Sequence, residues 1–547
     1  MPKPSPAWTN QPASCLSGRP DHATGLPVRE RKVGVKSAAL LPFDTADSPN
    51  GSYISVMTTQ AETIDATPST AVQPTRRAFM QSAAAVTMGF GGLQSLFARN
   101  ASATPASEDI GLGFGPLVPD PKGVFDLPEG FNYQVISRVG ETMSDGLLVP
   151  GLPDAMAAFE GPDGTTVIVR NHELDPSKKN GSPYGDGQKL ASRLPRSKFY
   201  DAGFGGYHSY GGTTNIVYDT RRGTVEKEFL SLAGTIRNCA GGPTPWGTWI
   251  TCEETVERAS NRWSEDRIYE RDHGYNFEVP ATATPSLAEP KPIRGMGRFM
   301  HEAICVDPST GIVYQTEDRH DGLVYRFVPN VPGKLHEGGR LQVLSAKRKL
   351  SLDTRNWEGR TVAVGERLEV EWLDIDNIES PNDDLRKRGF AKGAARFARG
   401  EGMWWGALAD DSPASAYFAC TSGGRLYKGQ IWRYTPSPAE GTADEHREPG
   451  ILELFIEPNN PGLIDNADNI TVAPFGDLIV CEDGSGEDYL VGVTPEGRIY
   501  KLGRNAWNNS ELAGVCFSPD GTTLFVNVQS VGITLAITGP WESRRTS

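Results

Sequence analysis

Residues Asn469–Leu502, NITVAPFGDLIVCEDGSGEDYLVGVTPEGRIYKL, alternate short apolar runs with turn-forming residues. Short runs rich in valine, isoleucine and leucine predict strands, and the pieces A-P-F-G-D and T-P-E-G predict tight turns between them. The same plan of strand, turn and strand occurs at residues 214–230 and 303–329, and residues 514–530 repeat it near the end of the chain. Repeated small antiparallel sheets of this kind predict a β-propeller.

The spacing between these units is irregular, so large insertions must interrupt the blades. We identify them at residues 174–205, 255–295 and 333–397, and we expect the charge-rich third insertion to be partly helical. The prediction is therefore an all-β, six-bladed β-propeller with large inserted loops and short helices. A β-sandwich is the alternative, but a hairpin pattern that continues to the C-terminus favours radial repetition.

The N-terminal part of the chain has a different character. Residues 1–56 show no sustained apolar period. We predict that they are disordered or lie upstream of a true translation start at Met57. In residues 57–103, the pair Arg76-Arg77 precedes a weakly apolar run, and Ala101-Ser102-Ala103 is a small-residue cleavage signal. This pattern predicts a twin-arginine signal peptide, recognised by the twin-arginine export machinery. Residues 104–547 would then form a single propeller catalytic domain.

The predicted location is periplasmic or secreted. The apolar run is too short and too rich in glycine to span a membrane, so we expect no stable membrane anchor. The formal net charge is −14, with 68 acidic and 54 basic side chains. This acidic balance disfavours nucleic acid as a partner and suits a protein that holds several cations. We expect a monomer.

The stretch Gly234–Glu254, GTIRNCAGGPTPWGTWITCEE, differs from the other strand pairs. Its first cysteine, Cys239, lies in a glycine-rich loop, whereas Cys252 lies in the apolar run WITC and reads as a small buried residue. Because side chains alternate along a strand, only one of Glu253 and Glu254 can point towards a shared centre. A thiolate with carboxylates would form a metal site; a buried free cysteine beside a solvated acidic turn is the alternative.

Further acidic groups occur where predicted strands begin or end. In a propeller the strand ends meet at the mouth of an axial channel, so these side chains are expected to converge. Carboxylate oxygens suit calcium, and an added thiolate suits a transition metal such as iron. The groups are Asn171-His172-Glu173, Glu253-Glu254, His301-Glu302, Glu317-Asp318-Arg319, Arg399-Gly400-Glu401, Asp465-Asn466 with Asp468-Asn469, and Glu482-Asp483.

With these motifs together, the chain resembles the PhoX-type alkaline phosphatase family. The resemblance is carried by the twin-arginine leader, NCAGGPTPWGTWITCEE, YGGTTNIVYD, RFMHEAICVD and GVCFSPDGTTLFVN. It implies a propeller that hydrolyses phosphate monoesters outside the cytoplasm, with small-molecule phosphate esters as substrates. It also implies two ferric ions and two to three calcium ions at the axial mouth.

The resemblance also implies roles for individual residues. Cys239 would be the thiolate shared by the iron pair, and Arg399 would hold the substrate phosphate together with Asn238. Arg399, Glu401 and Cys239 would form the catalytic group. The implied metal ligands are Cys239, Glu173, Glu254, Glu302, Asp318, Glu401 and Glu482.

Two other functions stay open from the sequence. SPDG and NADN resemble pieces of calcium-dependent propeller lactonases, which usually need no thiolate. A propeller that binds a partner without catalysis is the third candidate function. An iron–thiolate site should give a visible charge-transfer band, and neither alternative should.

Overall fold

Antiparallel strands dominate the computed structural model of this protein. The structure describes residues 113–176, 181–204, 206–264, 267–408 and 412–546. The predicted extension at 1–56 and signal peptide at 57–103 lie outside the described residues. No described helix is both long and apolar enough to cross a membrane.

Three strands precede the repeated sheets: β1 (Leu117–Val118), β2 (Phe125–Pro128) and β3 (Asn132–Arg138). The remaining strands fall into six sets in chain order. Set one comprises β4 (Pro153–Glu160), β5 (Thr166–His172), β6 (Gly211–Asp219) and β7 (Thr224–Thr235). Set two comprises β8 (Asn238–Pro243), β9 (Thr248–Glu253) and β12 (Asn276–Pro280), and a separate hairpin of β10 (Arg262–Ser264) and β11 (Arg267–Ile268) lies between β9 and β12. Set three comprises β13 (His301–Val306), β14 (Val313–Glu317), β15 (Val324–Pro329) and β16 (Gly339–Ala346).

The second half of the chain repeats this plan. Set four follows β17 (Arg367–Asp374) and comprises β18 (Gly400–Gly406), β19 (Ser415–Cys420), β20 (Gln430–Thr435) and β21 (Ile451–Ile456). Set five comprises β22 (Ala467–Val472), β23 (Leu478–Glu482), β24 (Tyr489–Val493) and β25 (Ile499–Asn505). Set six comprises β26 (Leu512–Phe517), β27 (Thr523–Val528) and β28 (Ile533–Thr538).

The first strands of the six sets form a closed ring. Each of β4, β8, β13, β18 and β22 contacts the first strand of the next set, and β26 contacts β4. This arrangement is a β-propeller, which confirms the predicted fold class. Sets three and four join into one nine-stranded sheet, because β17 pairs with both β16 and β21.

The N-terminal strands complete the two last sets. Strand β3 pairs with β28 as the fourth strand of set six, in a register that places Val135 opposite Leu535. Strand β2 pairs with β25 at the outer edge of set five. The ring is therefore closed by pairing the beginning of the described chain with its end.

The helices are short, as predicted. One α-helix, α1 (Leu385–Lys392), lies in the third predicted insertion and ends at Gly393, whose φ of 122° suits glycine. The 3₁₀ turns within the described residues are Pro162–Gly164, Asp186–Gln188, Ala191–Arg193, Arg196–Lys198, Arg294–Met296, Leu335–Glu337, Glu445–Arg447 and Trp541–Thr546.

Two of the predicted insertions also contain strands of the propeller. Residues 333–397 include β16 and β17, and residues 255–295 include β12. In β17 the exposed charged residues Arg367 and Glu369 alternate with the buried residues Leu368 and Val370. An outer strand that buries only one face has this charge-rich pattern, and it resembles an insertion in the sequence.

Candidate metal centre

A β-bulge interrupts each first strand near the mouth of the propeller. At each bulge the first strand has one residue more than the second strand with which it pairs. The bulges lie between the paired residues Pro153 and Met156, Asn238 and Gly241, His301 and Ile304, Gly400 and Met403, Ala467 and Ile470, and Ala513 and Cys516. A bulge turns a side chain out of the regular alternation of the strand. Six bulges at the same position therefore give the mouth six equivalent places for a side chain.

Five of the six bulges carry a side chain that can ligate a metal, and the sixth carries glycine. The residues directly after the last paired position are Asp154, Cys239, Glu302, Glu401, Asp468 and Gly514. Residues far apart in the chain are brought together because each begins the innermost strand of its set.

Together with acidic residues from neighbouring segments, the bulge residues form three groups whose ligand atoms lie within 4.8 Å of one another. The first contains Cys239, Glu254 and Glu302. The second contains Glu302, Glu401 and Asp468, so the two groups share Glu302. The third contains Asp154, Glu173 and Glu511. The structure therefore brings together five of the seven predicted ligands, Cys239, Glu173, Glu254, Glu302 and Glu401.

Asp318 lies beside these groups. Its two carboxylate oxygens accept hydrogen bonds from Nε and Nη2 of Arg399, both at 2.7 Å. Arg399 Nη2 also lies 3.0 Å from Glu401 Oε1. The predicted substrate arginine is therefore joined to two of the predicted ligands.

The ends of the second strands show which residue of each acidic pair faces the cluster. Glu173, Glu254 and Asp318 are the residues directly after β5, β9 and β14. The last residues of β9 and β14, Glu253 and Glu317, are fully buried inside their own sets. Glu253 accepts from His273 and two backbone N–H groups, and Glu317 accepts from Tyr325.

Glu482 occupies this buried position in set five, and its predicted role as a metal ligand is corrected. Its carboxylate accepts from Lys501 Nζ at 2.9 Å and from the backbone N–H groups of Asp465 and Tyr489, each at 2.9 Å. The next residue, Asp483, follows the strand as Glu254 and Asp318 do, and with burial its charge raises the pKa of Glu511 in the third group. Alternation along the strand explains the one-residue difference.

Asn238 is corrected for the same reason. It precedes Cys239 and therefore points to the opposite side of β8. The side chain is fully buried, its Oδ1 accepts from Thr235 Oγ1 at 2.6 Å, and its Nδ2 donates to Thr251 Oγ1 at 2.9 Å. Asn238 stabilises set two and has no free group for a substrate.

Left-handed residues precede four of the first strands. Leu152, Arg237, Arg399 and Asn466 have φ between 43° and 60°. This conformation is uncommon for residues other than glycine and marks functional positions when the surroundings maintain it. Here it turns the chain immediately before the bulge that presents a ligand.

Arg237 is a second arginine in the cluster, and the sequence reasoning missed it. Its Nη2 lies 2.9 Å from Glu254 Oε2 and 3.2 Å from Glu173 Oε1. The side chains of Arg237 and Arg399 are 38% and 32% exposed, so both reach solvent at the mouth. Arg237 lies two residues before Cys239, as Arg399 lies two residues before Glu401, and this shared position is the sequence signal that could have identified it.

Burial and mutual repulsion shift the acid–base equilibria of the cluster. Burial, with the charges of Glu401 and Glu254, raises the pKa of Glu302 well above its usual value. Burial and the charge of Asp483 raise the pKa of Asp468 to about 8. Burial, with Asp154 and Glu302, raises the pKa of the Cys239 thiol well above its usual value. These groups therefore need nearby cations to ionise together.

Glu302 gives the clearest test of whether a metal fits. Both of its carboxylate oxygens are buried and have no hydrogen-bond partner among the described residues. A buried polar atom without a partner costs free energy, and a carboxylate costs more than a neutral group. Two cations shared between the first and second groups would satisfy both oxygens. Thiolate and carboxylate donors suit iron on one side, and carboxylate oxygens alone suit calcium on the other.

The sequence reasoning also missed Asp154 and Glu511 and did not select Asp468 from its acidic group. Asp154 and Asp468 stand in the same place as Glu302, one residue into a first strand. That position could have been found by aligning the repeats, had LPDAMAAF been recognised as the opening strand of a set.

Comparison with known proteins identifies the family of this chain. The profile of the alkaline phosphatase PhoX family matches residues 112–204 and 212–532.

This chain belongs to the PhoX alkaline phosphatase family.

Among solved structures, the PhoX family chain is similar to Pseudomonas fluorescens PhoX, whose structure was determined with vanadate, a transition state analogue. The two are 17% identical, with a TM-score of 0.54, over 80% of this chain and 97% of that one. A gluconolactonase from Xanthomonas campestris, XC5397, is 13% identical with a TM-score of 0.33, over 78% of this chain and 99% of that one. No curated protein matches the sequence.

Proposed function

We propose that this PhoX family member is an exported, metal-dependent phosphatase that hydrolyses phosphate monoesters at the mouth of the propeller. The observation that carries the proposal is the pair of buried, unpartnered oxygens of Glu302 between two groups of candidate ligands. Family membership supports the phosphatase chemistry. The family resemblance favours two ferric ions and two to three calcium ions as these cations.

The ligand set follows from the three groups. Cys239, Glu254 and Glu302 would hold the iron side, and Glu401 and Asp468 would share Glu302 with a second cation. Asp154, Glu173 and Glu511 would hold a further cation, for which carboxylate donors favour calcium. Bound cations supply Lewis acidity and neutralise the oxygens of a phosphate ester.

The two arginines bind and orient the substrate in this proposal. A guanidinium can donate two parallel hydrogen bonds to a phosphate, and both side chains are partly exposed. Asp318 fixes Arg399 by accepting two hydrogen bonds from its guanidinium. The remaining N–H groups of Arg399 therefore point in a fixed direction. Orientation of this kind lowers the barrier because the reacting groups are already placed.

Substrates reach the cluster from the mouth. Beneath the bulges, the axis of the propeller is filled by side chains that include Met156, Trp249, Met403 and Trp404. The cavity among them measures about 20 Å³, which leaves room for little more than one water molecule. The leaving group of an ester would therefore point outwards, across the loops that surround the mouth.

The decisive experiment measures metal content and p-nitrophenyl phosphate hydrolysis on the same exported preparation. We expect iron and calcium to be present, a visible absorption band, and activity that excess EGTA removes and calcium restores. Glu302→Gln should lose metal and activity together. Its control, Glu317→Gln, changes a buried carboxylate of the same hairpin that accepts from Tyr325, and should retain both. Metal-free protein without hydrolysis would refute the proposal.

Export is tested separately. Replacing Arg76 and Arg77 by lysine should retain the precursor in the cytoplasm, because twin-arginine recognition requires the pair. A normal yield of exported double variant would show that the leader is not used in this way.

A further inference from the structure

A group of partly exposed side chains lies beside Arg399 at the mouth. It consists of His320, Arg355, Trp357, Leu426 and Tyr427, and we refer to it as the aromatic shelf. Tyr427 is 51% exposed and Leu426 is 52% exposed. The rings of Trp357 and Tyr427 lie 5.3 Å apart with 44° between their planes. None of these residues belongs to the metal groups.

The shelf is built on the two loops that hold Arg399. The backbone N–H of Arg399 donates to the carbonyl of Arg319, and its carbonyl accepts from the N–H of Thr421, both at 3.0 Å. The next residue of each loop anchors the shelf. Arg355 Nη1 donates to the carbonyl of His320 at 3.0 Å, and Trp357 Nε1 donates to the carbonyl of Ser422 at 2.6 Å.

The Trp357 ring is held in one orientation. The guanidinium of Arg355 stacks 3.9 Å from its centre and is itself fixed by two hydrogen bonds to Asp353, at 2.7 and 2.8 Å. The indole nitrogen is already engaged with Ser422. This leaves part of the ring, beside Tyr427, as a rigid apolar surface at the mouth.

Tyr427 is presented by a strained backbone. Its φ of 57° is unusual for a bulky residue. The conformation is maintained by neighbours, because its N–H donates to Gly424 and its carbonyl accepts from Asn466 Nδ2 at 3.3 Å. Asn466 lies two residues before Asp468, so the loop that carries Tyr427 is tied directly to the metal cluster. A rigid, exposed aromatic residue in such a conformation suggests a binding role.

We propose that the aromatic shelf binds the leaving group of the substrate and that the preferred substrates are nucleoside monophosphates. The inference rests on the proposed phosphatase function. With the phosphate on Arg399, the leaving group would extend over the adjoining shelf. Backbone hydrogen bonds place Arg399 next to the residues that anchor the shelf. A nucleoside monophosphate carries a planar base on its ribose, and this base would stack on Trp357 and Tyr427.

Stacking of a base on an aromatic side chain is worth roughly a tenfold change in binding. We therefore expect Tyr427→Ala and Trp357→Ala each to lower kcat/KM for AMP about tenfold, mainly through KM, since the contact exists in both ground and transition states. The value for glycerol 3-phosphate, which carries no ring, should change less than about twofold, and the change for p-nitrophenyl phosphate, which has a smaller ring, should lie between the two. Tyr427→Phe keeps the ring and should retain the AMP value.

Trp246→Ala is the matched control. Trp246 lies in the turn between β8 and β9, at the end of these strands opposite Cys239 and Glu254, so all three esters should respond alike. Calorimetric titration with adenosine, which carries no phosphate, measures the shelf directly. The wild-type protein and Tyr427→Phe should bind it, and Tyr427→Ala should bind about tenfold more weakly.

An unchanged ratio of AMP to glycerol 3-phosphate turnover in both alanine variants would overturn the inference while leaving the phosphatase function intact. Equal adenosine binding by wild type and Tyr427→Ala would also overturn it. If no ester is hydrolysed but adenosine binding still depends on Tyr427, the proposed function fails and the shelf is supported as a base-binding surface.

Discussion

Two cysteines in one motif have different environments, and this difference gives a sharp test of the iron site. The Cys239 Sγ lies at a bulge, 3.8 Å from Asp154 Oδ2 and among carboxylates. Cys252 is fully buried in an apolar group with Ile250, Met296 and Phe299. All six cysteines of the described chain are free, so Cys239 and Cys252 form no disulfide with each other.

Cys239→Ser should bleach the visible band of the metal-loaded protein and lower turnover by orders of magnitude, because serine ionises far less readily than cysteine. Absorption spectra and p-nitrophenyl phosphate assays measure both effects. Cys252→Ser should keep the colour and cost about 1 kcal/mol of unfolding free energy. Equal bleaching by both substitutions would place the iron elsewhere.

At the scale of elements, the bulged strands approach one another closely where the ligands are presented. A Cβ added at Gly402 in β18 would lie 2.6 Å from Asn469 Cα and 2.7 Å from the Asp468 carbonyl of β22. Glycine at this position lets two first strands approach and keeps Glu401 and Asp468 in one group of candidate ligands. The spacing between these ligands therefore depends on a residue that is not itself a ligand.

Gly402→Ala should force β18 and β22 apart, with a loss of about 1–3 kcal/mol in unfolding free energy and reduced metal content. Denaturant unfolding and elemental analysis test the two effects. Gly359→Ala is the control, since a Cβ there meets no atom within 4 Å. Full metal content in Gly402→Ala would show that the cluster tolerates movement of its strands.

The inserted segment after β9 is fixed to the propeller by a buried histidine. His273 Nδ1 lies 2.7 Å from Glu253 Oε1, and its Nε2 lies 3.2 Å from Asp201 Oδ2. Burial alone lowers the pKa of His273, but the charge of Glu253 and the hydrogen bonds to both carboxylates outweigh it and raise the pKa to about 9. The folded state therefore binds this proton more tightly than the unfolded chain does.

The sign of the pH dependence follows from linkage. The stabilisation by His273 is fully present below its unfolded pKa, about 6.5, and is lost as the pH rises through about 9. Thermal unfolding of wild type and His273→Gln should therefore differ most near pH 6 and converge above pH 9. A difference that grows with pH would contradict the charged state assigned to His273.

For the whole molecule, ring closure depends on a strand from the other end of the chain. Without β3, strand β28 would have an unpaired edge, and the buried residues Ile533, Leu535 and Ile537 would lose their covering. The last set would then consist of three strands, all from the C-terminal segment. Closure by distant strands makes the propeller one cooperative unit.

Removing residues 1–139, which deletes β3, should lower the unfolding temperature sharply and favour association through the exposed edge. Removing residues 1–130 keeps β3 and deletes only β1 and β2 at the outer edge of set five, so its effect should be smaller. Calorimetry and size-exclusion chromatography compare the two. An equal unfolding temperature for both chains would show that β3 is not needed for closure.

The sequence alone determined the propeller, its short helices and most of the candidate ligands. Strand and turn signals are local, because they depend on side-chain alternation and backbone preference, and Cys239, Glu302 and Glu401 stand immediately beside recognisable strands. The tertiary structure decided which member of each acidic pair faces the axis, replacing Glu482 by Asp483 and turning Asn238 inward. It also showed that Arg237 and Asp154 lie in the cluster and that loops of different sets form the aromatic shelf. Which side chains meet depends on six bulges in register and on loops from different sets meeting at one mouth, and local patterns in one sequence do not specify this long-range juxtaposition.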